Sequence, residues 1–517
     1  MKNFVIIIFI ISQLRINAQL SDGLILFSTF SIDSKNTYLI DNDKNIIQSW
    51  IHDHSPASHP YLLPDTSIIY PYKVTTPFLD GGAGGVGGGI KKILKDGTVE
   101  WNYIFSDSIY QHHHDIEAMP NGNILIIVWE IKDSNEAARS GRQNIESEIN
   151  QIWAPAILEL NPGTGEIVWE WHIWDHLVQD IDSTLSNFGN VKENSQLMNI
   201  NYGTIGSING YNGDWMHINS IDYNPIIDQI VISSRNTNEF YIIDHSTSIE
   251  ESSGHSGGNY GKGGDFLYRW GNPEVYNMGD ENDKKLFGQH DVSWITTSIG
   301  SNDILLFNNG LNRPDGDFST VDIVRPELDL NGKYLSSDEN GFLPVTLENV
   351  FYQYGFYNGR QSSAQYLDNG NILITGTAMK KIIEIDLNGN VLWEHNLFDH
   401  VNRASKYSSS FFNNLSINKD VHKEKPKVMN VSYYPNPFNP IINLEYNLPE
   451  DLFVKITVYD MLGNVVNELV NDKQKAGSKY IQWNAVNNRG KPVSAGIYLF
   501  KIQARGFYYT KKMILLK

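Results

Sequence analysis

The sequence predicts an all-β protein: a six-bladed β-propeller followed by a small C-terminal β-sandwich. Three observations predict it. A unit made of an apolar strand, an Asn-Gly or Gly-rich turn and a Trp-bearing strand recurs along most of the chain. Helical periodicity is weak throughout, and short alternating runs dominate. After Val401 the composition turns polar, and a second set of alternating strands then begins.

The chain starts MKNFVIIIFIISQLRINAQ, with eight apolar residues from Phe4 to Ile11. A lysine, a short apolar run and a polar end at Ala18 predict a secretory signal peptide over 1–18. The run is too short to span a bilayer, and no later segment is longer, so stable membrane insertion is not expected. The mature protein is expected to be exported, yet its 517 residues include no cysteine. Disulfides and thiolate chemistry are therefore excluded. The 12 Trp, 27 Tyr and 22 Phe can supply a large core instead.

The repeat is plainest when NGNILIIVWE and AILELNPGTGEIVWEWHIWDH (121–176) are set beside NGNILITGTAMKKIIEIDLNGNVLWEHNLFDH (369–400). Its second half recurs at 37–54, 89–105, 156–174, 239–273 and 381–395, with a degenerate copy at 321–335. Six copies of a strand–turn–strand unit indicate six propeller blades over 22–402. Large insertions fall at 133–151 and 177–214. Residues 403–427 are expected to be a linker, and 428–517 a β-sandwich.

The net charge of −19 argues against nucleic acid, whose binding rests on neutralised phosphates. An anionic substrate would need locally concentrated positive charge. Histidines offer candidates. Aligned by the turn that follows each first strand, His114 precedes Pro120 by six residues and His217 precedes Tyr223 by six. His290 opens QHDVSWI, and Ser362 stands six before Asp368. First strands line a propeller's channel, so equivalent positions should face one another. Three histidines should then meet at one channel mouth, although 176 residues separate His114 from His290. Arg235, eighteen residues after His217, should close the second strand of the same blade and join them. His112, His113 and His114 are consecutive, and alternation lets at most two face one way. His113 therefore stays a candidate beside His114. No metal-binding spacing such as HExxH is present, and no metal or other cofactor is expected; a three-histidine zinc site built from different blades is the alternative reading. The run GGAGGVGGG (81–89) lacks the Lys-Ser/Thr and helix of a phosphate loop and reads as a flexible loop. Trp129, Trp153, Tyr202, Trp215, Tyr354 and Tyr357 are aromatics that could clamp a ring.

Two resemblances fit these residues. From YPNPFNP (434–440) through Gly463, Trp483-Asn484, Gly490, Gly496-Ile497-Tyr498 and the lysine-rich last strand, residues 431–517 resemble the type A C-terminal sorting domain of the type IX secretion system. That implies export through the type IX machinery to the cell surface or medium. Over 22–402, the segments HHDIEAMPNGNIL, Asp214-Trp215-Met216-His217-Ile218-Asn219, the strand ending at Arg235, and Gln289-His290-Asp291 resemble the PAPS-independent arylsulfotransferase family. The resemblance implies that His290 is the nucleophile accepting a sulfuryl group. It implies that His217, Arg235 and His114 hold the sulfate oxygens, with His113, Asn219 and Trp215 in substrate binding. The donor would be an aryl sulfate and the acceptor a phenol, in a ping-pong transfer through a sulfohistidine. A hydrolase using water as acceptor has the same residues. Other readings are a non-catalytic surface propeller that binds glycan or protein, and a metal- or quinone-dependent oxidoreductase, which the absence of metal spacing disfavours. The further N-terminal β domain of some of these enzymes is not expected here, and the cysteines that some of them carry are absent from this sequence.

Overall fold

A computed structural model describes residues 19–516 except 31–34, 146–147, 207–210, 297–301, 338, 340, 354, 410, 412–430, 435–436, 449–450, 462–463 and 505–506. The signal-peptide expectation over 1–18, Tyr354, Gly463 and most of the expected linker lie outside the described residues. The chain divides into two compact units, 1–417 and 418–517.

The first unit is all-β. Its described strands form six four-stranded antiparallel sheets in chain order, together with two short two-stranded ladders. Sheet one holds Leu24–Ser28, Asn36–Ile40 and Ile46–Ile51. Sheet two holds Tyr61–Leu62, Ile68–Lys73, Gly88–Ile93 and Val99–Ile104. Sheet three holds Gln111–Ala118, Ile124–Asp133, Gln151–Asn161 and Glu166–His172. Sheet four holds Ile218–Asn224, Gln229–Ser234, Glu239–Asp244 and Tyr268–Trp270. Sheet five holds His290–Trp294, Ile304–Asn308, Thr320–Val324 and Glu348–Tyr352. Sheet six holds Ser363–Tyr366, Ile372–Gly376, Lys381–Ile385 and Val391–Asn396.

Burial explains the sequence pattern. Middle strands such as Gln229–Ser234 and Ile304–Asn308 are buried at every position, as continuous apolar or small-residue runs require. Outer strands such as Val99–Ile104 alternate between half-buried and exposed. The first strands of sheets three, four, five and six lie against one another in succession. Each carries, or directly follows, a residue in left-handed backbone: His114 at φ 53°, His217 at φ 53°, Asp291 at φ 54° and Ser362 at φ 78°. Ladder register shifts at these points, between His112 and Ile116, Ile218 and Ser220, and His290 and Ser293. A bulge of this kind bends the strand and re-aims its side chains. It also corrects the register read from sequence by one residue: Asp291, not His290, stands where His114 and His217 stand.

The linker expectation over 403–427 needs correction at its start. Ala404–Tyr407 is the fourth strand of sheet one, paired antiparallel with Leu24–Ser28. The polar letters of ASKY hid the strand because its lysine is paired. Lys406 Nζ lies 2.7 Å from Glu384 Oε2, with both side chains almost fully buried. The insertions are ordered where described. Asp133 caps the short helix Ser134–Arg139, accepting from the Glu136 N–H. Arg142 then donates to the carbonyls of Ile200 (2.6 Å) and Gly203 (2.6 Å), stitching the two insertions together.

In the second unit a three-stranded sheet and a four-stranded sheet share a core that includes Phe438, Ile456, Trp483, Phe500 and Met513. The Trp483 indole donates to the Val486 carbonyl at 2.8 Å. The strands carry alternating burial, as in Gly496–Ala504.

Lys406→Ala is expected to destabilise the first unit by about 3 kcal/mol, because it leaves the buried Glu384 carboxylate without its cation. Equilibrium denaturation followed by tryptophan fluorescence checks this.

Candidate active site

A cavity of about 870 Å³ opens where the first strands begin, and His114, His217, Arg235 and His290 all line it. The His114 and His217 rings stand 4.6 Å apart, edge to face. The Arg235 N–H donates to the His217 carbonyl at 3.1 Å. The hairpin therefore returns Arg235 beside the histidine that starts it. No carboxylate pairs with the Arg235 guanidinium among the described residues; its one side-chain hydrogen bond goes to Asn236 Oδ1 at 3.2 Å. Burial lowers its pKa, yet a guanidinium stays charged.

His290 is held by neutral groups. Its Nδ1 lies 2.8 Å from Asn309 Oδ1 and 3.0 Å from the Gly288 carbonyl. Both partners at that nitrogen are acceptors, so Nδ1 carries the hydrogen and Nε2 carries the lone pair. Among the described residues, the one hydrogen bond to Nε2 is a long one, 3.3 Å, from the Gln361 N–H. Burial pushes the His290 pKa down to about 3, and the neighbouring Arg235 and His217 act in the same direction, against the hydrogen bonds that the ring donates to Asn309 and Gly288. Asp291 does not orient this ring. It turns away to Arg403 Nε at 2.7 Å and accepts from the Ala364 N–H at 2.9 Å.

The other histidines have different partners. His217 Nδ1 bonds the Asp214 carboxylate, which is fully buried. His114 Nδ1 lies 2.9 Å from His113 Nδ1. Burial, followed by the neighbouring histidines, holds His114 well below the ordinary imidazole pKa. His113 does not line the cavity. It is fully buried and stacked on Trp129 at 3.8 Å, so it is the ring behind His114, not a ligand-facing one. Asn219 lines the cavity and donates to the Gln289 carbonyl at 2.8 Å, while its Oδ1 is buried without a partner. Trp215 forms part of the wall but is only 1% exposed, with its N–H given to the Tyr202 carbonyl at 2.9 Å. Tyr202 lines the cavity; Trp129 and Trp153 pack together away from it, with ring centroids 5.2 Å apart. Tyr357 is also absent from the lining.

Sequence reasoning missed four contributors. Asn309 and Gln361 lie far from any histidine in the chain. Asp214 stands three residues before His217, and that spacing was the available signal. The fourth is the glycine run. The Gly85 carbonyl accepts from the His114 N–H at 2.6 Å, and Val86 bridges to His113. A Cβ on Gly85 would lie 2.3 Å from His114 ring atoms, and one on Gly84 would lie 3.3 Å from His217 Cε1. These glycines let the loop lie directly on the two imidazoles. They are not a free loop.

Residues 15–325 match the family described as Arylsulfotransferase (ASST). The chain belongs to the arylsulfotransferase family. Residues 432–516 match the secretion system C-terminal sorting domain. The protein is thus a sulfotransferase-type enzyme with a type IX sorting tail that supports secretion and surface localisation. No curated protein matches the chain. Among solved structures, it is similar to a protein of unknown function from Bacteroides caccae, at 14% identity and TM-score 0.39, over 75% of this chain and 99% of that one. A putative 6-phosphogluconolactonase from Bacteroides fragilis shares 11% identity at TM-score 0.36, over 75% of this chain and 98% of its own. A virginiamycin B lyase from Staphylococcus aureus shares 10% identity at TM-score 0.32, over 77% and 88%.

Two outcomes are expected. Gly85→Ala should displace His114 and lower the rate of phenol release from an aryl sulfate by about 10²-fold, and it should also lower the thermal unfolding midpoint, because the added Cβ sits at positive φ against a buried ring. Carbethoxylation of His290 by diethyl pyrocarbonate should proceed at nearly the same rate at pH 5 and pH 7, because a group of pKa about 3 is neutral at both. A free histidine standard in the same tube should slow about twentyfold. Peptide mapping reads both.

Proposed function

We propose that the six sheets of the first unit are the blades of a propeller. In this reading the cavity at the start of their first strands transfers a sulfuryl group from a phenolic sulfate ester to a phenolic acceptor, through a sulfohistidine on His290. The observation that carries this reading is the His290 ring: neutral, with Nδ1–H fixed by Asn309 and Gly288 and Nε2 left as the lone pair on a cavity that also holds an unpaired arginine.

The chemistry follows from those groups. His290 Nε2 attacks sulfur; the N–S bond forms as the S–O bond to the aryl oxygen breaks, and the phenolate leaves with the electron pair. Such a transfer has a loose, planar transition state like that of phosphoryl transfer, so charge stabilisation and positioning do most of the work. The Arg235 guanidinium offers fixed donors to the equatorial oxygens. His114 is held neutral and therefore serves as a hydrogen-bond donor through one nitrogen, not as an acid. His217 is the ring suited to give a proton to the leaving oxygen, because Asp214 holds its other nitrogen and balances the charge while the ring is protonated. In the second half, an acceptor phenol oxygen attacks sulfur, His217 takes the phenol proton, and the N–S bond breaks to return neutral His290. Asn219 steadies the Gln289 carbonyl just before His290. No metal or nucleotide enters any step. Export would begin with the signal peptide at 1–18 and be completed by the tail over 428–517.

The test is the intact mass of untagged mature protein mixed briefly with 4-nitrophenyl sulfate and no acceptor. One sulfuryl group should be gained, be absent in His290→Ala, and be discharged by added phenol. Arg235→Ala should keep the site of modification but slow its appearance by about 10²–10³-fold. No mass gain and no phenolate release would favour a propeller that only binds.

A further inference from the structure

A second cluster lies outside the cavity. His176, His255 and Asp265 bring three metal-ligating atoms within 4.8 Å of one another, and none of the three lines the active-site cavity. His176 Nδ1 stands 2.9 Å from Asp265 Oδ1, and His255 Nδ1 stands 2.7 Å from the same oxygen. Two imidazoles from different segments thus aim the same ring nitrogen at one carboxylate oxygen. Asp265 and His176 are buried, while His255 is exposed.

The tautomer of His176 is fixed. Its Nε2 lies 2.8 Å from the Ser252 carbonyl, which can only accept, so Nε2 carries a hydrogen. A neutral His176 therefore turns the Nδ1 lone pair toward a carboxylate oxygen. Two lone pairs at 2.9 Å repel unless a cation stands between them, either a proton or a metal ion. The outer hydrogen bond from a ligand histidine to a backbone carbonyl is the arrangement that orients imidazole toward a metal. The surrounding chain is built for close approach here. A Cβ on Gly264 would lie 2.5 Å from His176 Nε2 and 2.0 Å from the Ser252 carbonyl oxygen. The Trp171 indole stacks on the His176 ring and donates to the Gly264 carbonyl at 2.7 Å. Ser252 in turn donates to the Glu170 carbonyl at 2.6 Å.

We propose that His176 Nδ1, His255 Nδ1 and the Asp265 carboxylate form a binding site for a divalent transition-metal ion of the zinc type. The fourth position belongs to water, since His255 faces solvent. Metal–ligand bonds of about 2.0–2.1 Å place tetrahedral ligand atoms about 3.3 Å apart, so each imidazole nitrogen has to draw back from Asp265 Oδ1 by about half an ångström, which the exposed His255 permits. The ion ties the segment that leaves sheet three, at His176, to both ends of the glycine-rich loop 253–264 inserted before the last strand of sheet four. Lys262 is a nearby cation whose charged form Asp265 favours.

The test uses untagged, chelator-treated mature protein titrated with Co²⁺ in excess Mg²⁺, which occupies loose carboxylate sites on so acidic a chain. One equivalent of Co²⁺ should give the intense visible bands of a four-coordinate ion, and Zn²⁺ should displace it. His255→Ala alters an exposed side chain and should weaken Co²⁺ binding at least tenfold, with unchanged circular dichroism. Its rate with 4-nitrophenyl sulfate should match the unaltered protein. Absence of one-equivalent binding at micromolar Co²⁺ overturns the proposal in favour of a proton-bridged His–Asp–His cluster. Bands that persist in His255→Ala overturn it too, because the ion then sits elsewhere.

Discussion

The site stands on a single, largely buried cation. Arg403 Nη2 lies 2.6 Å from Asp115 Oδ2, and its Nε lies 2.7 Å from Asp291 Oδ1. Asp115 follows His114, and Asp291 follows His290. A third contact, 3.1 Å to the Tyr61 hydroxyl, reaches sheet two. One guanidinium, carried just before the strand that completes sheet one, therefore fixes the neighbours of two cavity histidines that are far apart in the chain. Burial raises Asp115, Asp222 (to about 7), Glu117 and Asp291 (to about 6), and Arg403 opposes that rise in each case. Removing a cation so placed leaves carboxylates buried without compensation, a costly state. The arrangement also explains why Asp291 is unavailable to orient His290 and why an amide, Asn309, does so instead.

That division suits the proposed chemistry. A carboxylate behind His290 would favour the protonated ring, which cannot attack sulfur. Amide and backbone acceptors fix the tautomer without adding negative charge. A carboxylate does stand behind His217, the ring assigned the proton. Positive charge facing the cavity comes from Arg235, which has no acidic partner among the described residues, and from Arg360 at the lining. The net charge of −19 repels an anionic donor at long range, so attraction has to be local.

An exported chain without cysteine must hold its long insertions by other means. Buried donors do this work. Arg142 gathers carbonyls of the second insertion, and Arg269 pairs with Glu239 while also donating to the Leu197 carbonyl at 3.0 Å. Sheet one is completed by a strand from the far end of the unit, held by Lys406 and Glu384. The proposed metal site would add a further tie at the loop 253–264, where glycines replace side chains.

Much of this was legible from residues alone. Periodicity of two and the recurring turns identify the strands, because alternation reports which face of a strand is buried. The D-W-x-H-x-N segment, Arg235 and His290 mark the cavity, because first strands of successive units occupy equivalent places. The sorting tail carries its own motifs. Three things were decided by tertiary structure. A one-residue bulge put Asp291 in the register position expected for His290 and made His114 face the cavity in place of His113, and bulges leave no trace in hydrophobic pattern. Asn309, Gln361 and Arg403 joined the site through contacts across sheets, which no local spacing encodes. The glycine run became a surface for two imidazoles because a missing Cβ matters only where another chain segment approaches. Sequence determined which residues are strands and which can do chemistry; packing determined which atoms meet, since burial and distance are properties of the folded chain.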